Sequence, residues 1–342
     1  MNSLPRISII IPVYNVEPYI AECLQSIMRQ TYQGPIECIV VDDCGTDKSI
    51  EVAQRVIAEY GGPIVFKVLH HEHNRGVAAS RNTGTAAATG DYFYYVDPDD
   101  YIVDDCLEVL TEPLKEKDYD MVLADCKLTE DPHHIRFMCL ETGPVCGNEN
   151  IFKEFHAERT LFMMVWNKLF KASLYKDYDL SFIEGQIHED DLWTYKSTLY
   201  LESLYVQNVK TYVYRIRPGG ITADYYSRTK HRLESWMATV DYVLDHPAKV
   251  AKAYYDKCVV YCFGKAVRFM IHDNEGHRGE YVALRKRFDY HPFKLFLKGE
   301  LRFKELKEQF HLALPPHLGY TYISLRRAAR RLFRRQKTVP GT

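Results

Sequence analysis

The chain has 342 residues, of which 44 are Lys or Arg and 46 are Asp or Glu, so its formal net charge is −2 at pH 7. This length is sufficient for a full hydrophobic core and for two structural parts, and the near-neutral charge argues against a nucleic acid partner. The nine cysteines are odd in number and form no CxxC pair, which favours free thiols in a reducing compartment over a disulfide framework.

The sequence predicts neither a signal peptide nor a membrane-spanning segment. The apolar run at residues 7–13 is interrupted by Pro12, follows no basic region and precedes no small-residue cleavage site. No stretch approaches the roughly 20 apolar residues that a membrane-spanning helix needs. We therefore interpret residues 7–13 as a strand and expect any membrane contact to be peripheral.

Apolar runs of strand length alternate with helical patterns over the first hundred residues. The runs are ISIIIPV, IECIVV, IVFKVLH and YFYYV. The segment that separates each run from the next has helical spacing or composition. Uniformly apolar strands that alternate with helices are typical of a mostly parallel sheet covered on both faces. Ligands of such sheets bind at the carboxyl ends of the strands, where Asn15, Asp42 and Asp43 are found.

The pattern becomes less regular after residue 103, where we predict a helix near 103–116, a strand in YDMVLADCKL and a helical stretch near 148–164. Amphipathic patterns dominate after residue 226, so this second part is predicted to be mainly helical. The predicted organisation is a catalytic domain of residues 1–225, a helical region of residues 226–320 and a basic tail of residues 321–342.

Three carboxylates, Asp97, Asp99 and Asp100, directly follow the apolar strand that ends in YYV. Close carboxylates repel one another, so a cation or hydrogen-bond donors must offset their charge. A divalent metal would do so, but Asp and Pro also favour turns for local backbone reasons. This stretch alone leaves a metal site and an acidic turn as equal interpretations.

Four segments follow in the order found in family 2 glycosyltransferases, which the chain resembles over roughly its first 225 residues. They are ISIIIPVYNVEPYIAECLQSIMRQTY, ECIVVDDCGTDKS, NRGVAASRNTGTAAATGDYFYYVDPDD and IHEDDLWTYK. The resemblance implies a Rossmann-like α/β domain of the GT-A fold, with a mostly parallel central sheet and, in this chain, a mainly helical C-terminal extension. It also implies sugar transfer from a nucleotide diphosphate donor with inversion at the anomeric carbon. Cys44, Gly45 and Pro98 depart mildly from the commoner family residues.

The resemblance further implies which residues bind the nucleotide. Asp43 would hold a uracil-like base, Asp97 would face the ribose and Arg81 would lie against the nucleotide. A helix cap for the acids after the second strand, and a surface ion pair for Arg81, are the alternatives. The full set of predicted nucleotide-binding residues is Pro12, Tyr14, Asn15, Asp43, Arg81, Asp97, Arg217 and Thr222.

By the same resemblance, Asp99 would bind Mn²⁺ or Mg²⁺, since hard cations prefer carboxylate oxygens and can bridge to a diphosphate. Asp190 would be the base that takes the acceptor proton, with Glu189 as its neighbour. Acids at a helix start are also favoured by the helix dipole, which is the alternative for part of this cluster. Trp166 and Lys168 are predicted to contact the acceptor, although a core position is the safer default for the tryptophan.

The tail segment SLRRAARRLFRRQK would place Leu325, Ala328, Leu332 and Phe333 on one face of a helix and six arginines on the other. This pattern favours contact with an anionic membrane surface, and the alternative is a helix docked on the protein with a solvated basic face. We thus predict a cytoplasmic enzyme, peripheral on the cytoplasmic face of the inner membrane.

The sequence as a whole predicts a metal-dependent inverting glycosyltransferase in cell-surface polysaccharide biosynthesis. Its donor would be a nucleotide sugar of the UDP type, and its acceptor a saccharide or a lipid-linked saccharide. A sugar-phosphate nucleotidyltransferase is an alternative, but its glycine-rich N-terminal phosphate loop is missing from PVYNVEPY. A noncatalytic sugar-nucleotide-binding or scaffold protein is the alternative outside the enzymes.

Overall fold

The computed structural model describes residues 4–129, 138–217, 228–273, 276–299 and 301–337, with side chains as far as residue 328. The chain divides into two compact units, one of Met1–Tyr225 with Lys249–Tyr254 and one of Tyr226–Ala248 with Tyr255–Thr342. Within the described ranges, no helix is both long enough and apolar enough to span a lipid bilayer.

The first unit is built on one sheet, to which the described residues contribute nine strands. The strands are β1 (Ile7–Val13), β2 (Ile36–Asp42), β3 (Val65–His70), β4 (Tyr92–Tyr95), β5 (Tyr101–Ile102), β6 (Met121–Leu128), β7 (Gly143–Cys146), β8 (Lys168–Lys171) and β9 (Ser203–Tyr214). Their order is β3-β2-β1-β4-β8-β6-β9-β5, and β7 also pairs with β9. Because only β5, β7 and β8 run against the others, the predicted mostly parallel sheet is confirmed.

Seven α-helices accompany this sheet in the described part of the first unit. They are α1 (Ile20–Met28), α2 (Ser49–Ala58), α3 (Val77–Ala86), α4 (Cys106–Thr111), α5 (Asn148–Phe152), α6 (Ala172–Asp177) and α7 (Glu189–Thr198). The helix predicted near 103–116 is α4 with the 3₁₀ turn that follows it. The helix predicted near 148–164 is shorter, since α5 and one π-helical turn end at Ala157.

The described elements that follow β9 are all helices, which confirms the predicted helical C-terminal region. They are α8 (Thr229–Asp245), α9 (Lys252–His272), α10 (Arg278–Arg285), α11 (Pro292–Leu297), α12 (Phe303–Ala313) and α13 (Pro316–Lys337). The boundary predicted between residues 320 and 321 falls inside α13.

Helix α3 lies very close to the sheet because its side chains facing the sheet are small. A Cβ atom at Gly84 would lie 2.5 Å from Ile10 Cγ2, so only glycine permits this approach. Ala78 and Ala79 on the same helix are fully buried. The close packing brings Arg81, in the middle of α3, near the carboxyl ends of the strands.

The side chain of Asn167, which is fully buried, links strands that are distant in sequence. Its Nδ2 donates to the carbonyl oxygens of Ala124 and Asp125, each at 2.9 Å. Its Oδ1 accepts from Tyr94 Oη at 2.9 Å and from Thr211 Oγ1 at 3.0 Å. One amide group therefore satisfies polar groups of β4, β6 and β9 in the centre of the sheet.

We expect Asn167→Ala to lower the free energy of unfolding by about 3 kcal/mol, because it leaves several buried donors and acceptors without partners. Urea denaturation followed by circular dichroism would measure this loss. Asn208→Ala is the matched control, since Asn208 is exposed and its Nδ2 donates to the Leu140 carbonyl. Equal losses for the two variants would contradict the role given to Asn167.

Candidate active site

Three carboxylates from distant segments meet at the guanidinium group of Arg81, whose side chain is only 3% exposed. Nη2 donates to Asp97 Oδ1 at 2.9 Å, just beyond the end of β4. Nη1 donates to Glu189 Oε1 at 2.5 Å and to Asp190 Oδ1 at 2.9 Å, in the first turn of α7. We call these four residues the Arg81 cluster.

The Arg81 cluster contains three carboxylates and one guanidinium, and two of its carboxyl groups have raised pKa values. Burial raises the pKa of Asp97 to about 6, assisted by Asp99 and Asp190 and opposed by Arg81. Burial also raises the pKa of Asp190 to about 7, with Glu189 assisting and Arg81 opposing. The Asp190 carboxyl can therefore gain or lose a proton close to neutral pH, as a general base requires.

Asp100 is almost fully buried and anchors the end of β9. Tyr212 Oη donates to its Oδ2 at 2.8 Å, and the backbone N–H of Arg215 donates to its Oδ1 at 2.7 Å. Burial, with the charges of Asp97 and Asp99, raises the pKa of Asp100 to about 9. Its contacts indicate that Asp100 positions the chain around the site.

Asp99 is partly exposed and is held by arginines from the segment after β9. Arg217 Nε donates to Asp99 Oδ2 at 2.6 Å, and Arg215 Nε donates to the Asp99 carbonyl oxygen at 3.0 Å. Both guanidinium groups lie over the ring of Tyr19, at 5.0 Å for Arg215 and 5.5 Å for Arg217. The structure thus brings Asp99 and Arg217 together, whereas Thr222 lies outside the described residues.

Asp97 and Asp99 fit a metal ion that takes its remaining ligands from a bound nucleotide and water. In the part of the chain that is described, no group of three or more His, Cys, Asp or Glu side chains could hold a metal ion. Mg²⁺ in nucleotide sites commonly takes one or two carboxylates, with phosphate oxygens and waters as its other ligands. Asp99 supplies such a carboxylate, since its side chain is partly exposed, and a cation there would offset the repulsion between Asp97 and Asp99.

Asp43 is buried at the end of β2 and fixes the turn that leads into α3. Its Oδ1 accepts from the backbone N–H of Arg75 at 2.8 Å and lies 2.7 Å from His71 Nδ1, while its Oδ2 accepts from the N–H of Gly76 at 2.8 Å. Gly76 has a φ of 88°, which favours glycine. These contacts give Asp43 a structural role, and its contact with a base stays a prediction.

The predicted nucleotide-binding residues at the end of β1 and just after it differ in what they can contact. Pro12 is buried within β1, whereas Tyr14 is exposed. Asn15 Oδ1 accepts from the backbone N–H of Thr46 at 2.7 Å and so ties the loop after β1 to the loop after β2. Tyr14 is accordingly the side chain of this segment that is free to stack on a ligand.

Trp166 and Lys168 are 2% and 1% exposed, so the structure does not bring either predicted acceptor contact to the surface. The Trp166 ring stacks on Tyr212, with centroids 4.5 Å apart. Lys168 Nζ donates to the carbonyl oxygen of Phe162 at 2.8 Å. Burial lowers the pKa of Lys168 to about 7, although Asp190 and Asp191 oppose this shift. Their acceptor role stays a prediction, and their contacts are those of core residues.

A sequence model described as Glycosyl transferase family 2 matches residues 8–177. Through these residues the chain belongs to glycosyl transferase family 2.

Two bacterial proteins illustrate the sequence similarity of the family 2 domain. "Glycosyltransferase GlyA" of Streptococcus pneumoniae serotype 4 is 32% identical over 241 residues, which cover 68% of this chain and 34% of that protein. "Uncharacterized glycosyltransferase EpsJ" of Bacillus subtilis strain 168 is 32% identical over 223 residues, which cover 64% of this chain and 63% of that protein. The chain therefore spans less than two thirds of the length of either relative.

A solved structure shows the same fold. The crystal structure of S. aureus TarS residues 1–349 in complex with UDP-GlcNAc has a TM-score of 0.72 and 22% identity, and the match covers 93% of this chain and 90% of that one. This likeness confirms the predicted GT-A fold.

Sequence reasoning missed three residues that organise the site of this family 2 domain: His71, Tyr212 and Arg215. The sequence SLYVQNVKTYVY is rich in β-branched and aromatic residues, so it carried a signal for β9 and hence for the position of Tyr212. Arg215 lies two residues before Arg217 and could have been paired with it on that basis. His71 had no comparable signal, because its contact with Asp43 depends on how β2 and β3 align.

We expect Arg81→Gln to lower the free energy of unfolding by about 3 kcal/mol or more at neutral pH, because it leaves buried carboxylates without their cation. In the folded variant the pKa values of Asp97 and Asp190 rise further above those of the unfolded chain, so the folded state binds more protons. Its stability should therefore fall as the pH rises from about 5 to about 8, more steeply than in the wild type.

Urea denaturation at both pH values tests this expectation. Arg75→Gln is the control, since the Arg75 side chain is 38% exposed and pairs with the exposed Glu184. A loss of stability that does not depend on pH would argue against charge compensation as the function of Arg81.

Proposed function

We propose that this family 2 domain is an inverting, metal-dependent glycosyltransferase that uses a nucleotide diphosphate sugar, of the UDP type, as its donor. The acceptor would be a saccharide or a lipid-linked saccharide in cell-surface polysaccharide biosynthesis. The observation that carries the proposal is the Arg81 cluster. In it, the guanidinium of Arg81 donates both to Asp97 and to Asp190, whose carboxyl has a pKa of about 7. Asp99, whose carboxylate can bind a cation, lies two residues after Asp97 in the chain.

The donor class is supported by the relatives. TarS, whose fold this chain shares, was crystallised with UDP-GlcNAc and also with UDP. Relatives named as glycosyltransferases include GlyA and EpsJ. In this chain the exposed ring of Tyr14 and the fixed turn around Asp43 lie at the ends of β1 and β2, where nucleotides bind to such sheets.

In the proposed reaction, Asp190 accepts the proton of an acceptor hydroxyl while that oxygen attacks the anomeric carbon of the donor. The new glycosidic bond forms as the bond between the anomeric carbon and the phosphate oxygen breaks, so the configuration inverts. Arg81 holds the Asp190 carboxylate in place, and Glu189 accepts from the same guanidinium nitrogen. Mn²⁺ or Mg²⁺ at Asp99 would stabilise the charge of the leaving nucleoside diphosphate.

Arg217 is a second cation for the diphosphate. Its Nε contacts Asp99, so in this structure Arg217 partly neutralises the carboxylate that would bind the metal ion. A guanidinium can form paired hydrogen bonds to phosphate oxygens. We infer that Arg217 turns from Asp99 to the diphosphate when donor and metal bind together.

The proposal extends to location. Residues 321–342, which include the end of α13, would contact the anionic surface of the cytoplasmic face of the inner membrane. The exposed side chain of Leu325 supports this, since it lies on the face predicted to be apolar. A lipid-linked acceptor would be reached from such a position.

Asp99→Asn should abolish the part of nucleotide affinity that depends on metal. Calorimetric titration with UDP, GDP and dTDP, each with Mn²⁺ and with a chelator, would measure it. We expect UDP to bind the wild type at least about tenfold more tightly with Mn²⁺, and the variant to lose this difference. The exposed Asp104→Asn is the control. No metal-dependent binding of any nucleotide to the wild type would overturn the proposed function.

Asp190→Asn should spare UDP binding and reduce sugar transfer or donor hydrolysis by at least about 10²-fold, because it removes the base. Asp191→Asn, one residue further along α7, is the matched control. In the wild type, kcat should rise with pH up to about 7, where Asp190 loses its proton, and then level off.

Unchanged turnover by Asp190→Asn would remove the assignment of the base. Nucleotide binding by the wild type without turnover of any UDP-sugar would favour a noncatalytic sugar-nucleotide-binding protein instead.

A further inference from the structure

The most exposed large apolar side chains of the described residues all lie in the second unit. They are Leu297, Phe303 and Leu325, at 73%, 70% and 66% exposure. Phe293, in the same helix as Leu297, is 52% exposed. Single exposed apolar residues are ordinary, but a group of them marks an interaction surface. Three of these four lie within eleven residues of one another, at the turn between α11 and α12.

The helices on either side of this turn position these side chains. Phe293 and Leu297 are one helical turn apart on α11, so they share a face. The helix ends at Leu297, and Gly299, two residues later, has a φ of 75°. The ring of Phe303 at the start of α12 lies 6.2 Å from that of Phe296. The apolar side chains around this turn are therefore presented by packed helices.

Basic side chains surround the exposed apolar ones. Lys294, Lys298, Arg302 and Lys304 are all exposed. Residues 292–305 contain these four cations and two acidic residues, and one of the two, Glu305, pairs with Arg302 at 2.9 Å, whereas the whole chain has a formal charge of −2. We call Phe293, Leu297 and Phe303, together with these four basic residues, the α11–α12 tip.

The charge of the α11–α12 tip decides between possible occupants. A symmetric contact between two copies would bring the same basic residues face to face, which is unfavourable. Nucleic acid would match the charge but would leave Leu297 and Phe303 in water. An anionic lipid surface matches both features, since apolar side chains enter the interface while Lys and Arg reach the phosphates of the headgroups.

We propose that the α11–α12 tip inserts into anionic membrane surfaces. This contact is separate from the one proposed for residues 321–342 and does not depend on sugar transfer. Two contacts from different parts of one chain bind a surface more firmly than either alone, because the second forms within an already bound molecule. They would also fix the orientation of the second unit on the membrane, which one contact cannot do.

The test is sedimentation of the full chain with vesicles of phosphatidylcholine, with and without phosphatidylglycerol. The wild type should bind the anionic vesicles, less strongly as salt rises. Leu297→Asp combined with Phe303→Asp should weaken binding at least about tenfold, because two apolar side chains no longer enter the interface. Both side chains are largely exposed, so the folded structure should tolerate the changes. Val209→Asp, an exposed apolar position of the first unit, is the matched control.

Lys294→Glu combined with Lys304→Glu should weaken binding to anionic vesicles and leave the weak binding to neutral vesicles unchanged. UDP titration of each variant separates this proposal from the proposed function, since nucleotide binding should remain as in the wild type. Equal vesicle binding by wild type and Leu297→Asp/Phe303→Asp would overturn the proposal and assign the contact to other residues. Self-association of the wild type that this double variant abolishes, without vesicle binding, would overturn it in favour of a second copy.

Discussion

The contact between one buried guanidinium and three carboxylates determines how the rest of the first unit must be arranged. Arg81 is separated from Glu189 by 108 residues, yet Asp97, Glu189 and Asp190 all bond to it. Each ion would be costly to bury alone, so the four are favourable only as a complete group. Burial, with Glu189 assisting and Arg81 opposing, leaves Asp190 with a raised pKa, which is the property that the proposed chemistry needs. The same burial that makes the Arg81 contacts necessary for stability thus also raises the pKa of Asp190.

The two ends of the site are held by different parts of the sheet. Small residues around Gly84 let α3 approach β1, and this sets the position of Arg81. On the other side, β9 delivers Tyr212 to Asp100, and the segment after it delivers Arg217 to Asp99. Asn167 joins the strands between these ends through its amide group. The carboxylates that follow β4 therefore lie between two supports that are distant in sequence.

The first four strands could be predicted because buried parallel strands are continuous apolar runs with helices between them. The acids of the site could be predicted because they follow strands or open a helix in recognisable motifs. β9 was missed although its β-branched and aromatic residues favour a strand, and its pairing with β6, about 80 residues away, is recorded by no local pattern. The sequence already offered a core position for Trp166, but it gave no sign that Lys168, a charged side chain, is also enclosed by its neighbours. Partners of Asp43 depend on strand alignment, which only the folded sheet defines.

The late position of β9 in the chain has a consequence for synthesis. β6 ends at Leu128 and its neighbour β9 begins only at Ser203, so a nascent chain of intermediate length exposes one edge of β6. Unpaired strand edges promote association with other chains. The interval in which the ribosome adds residues 129–214 is therefore a period in which this protein needs protection from aggregation.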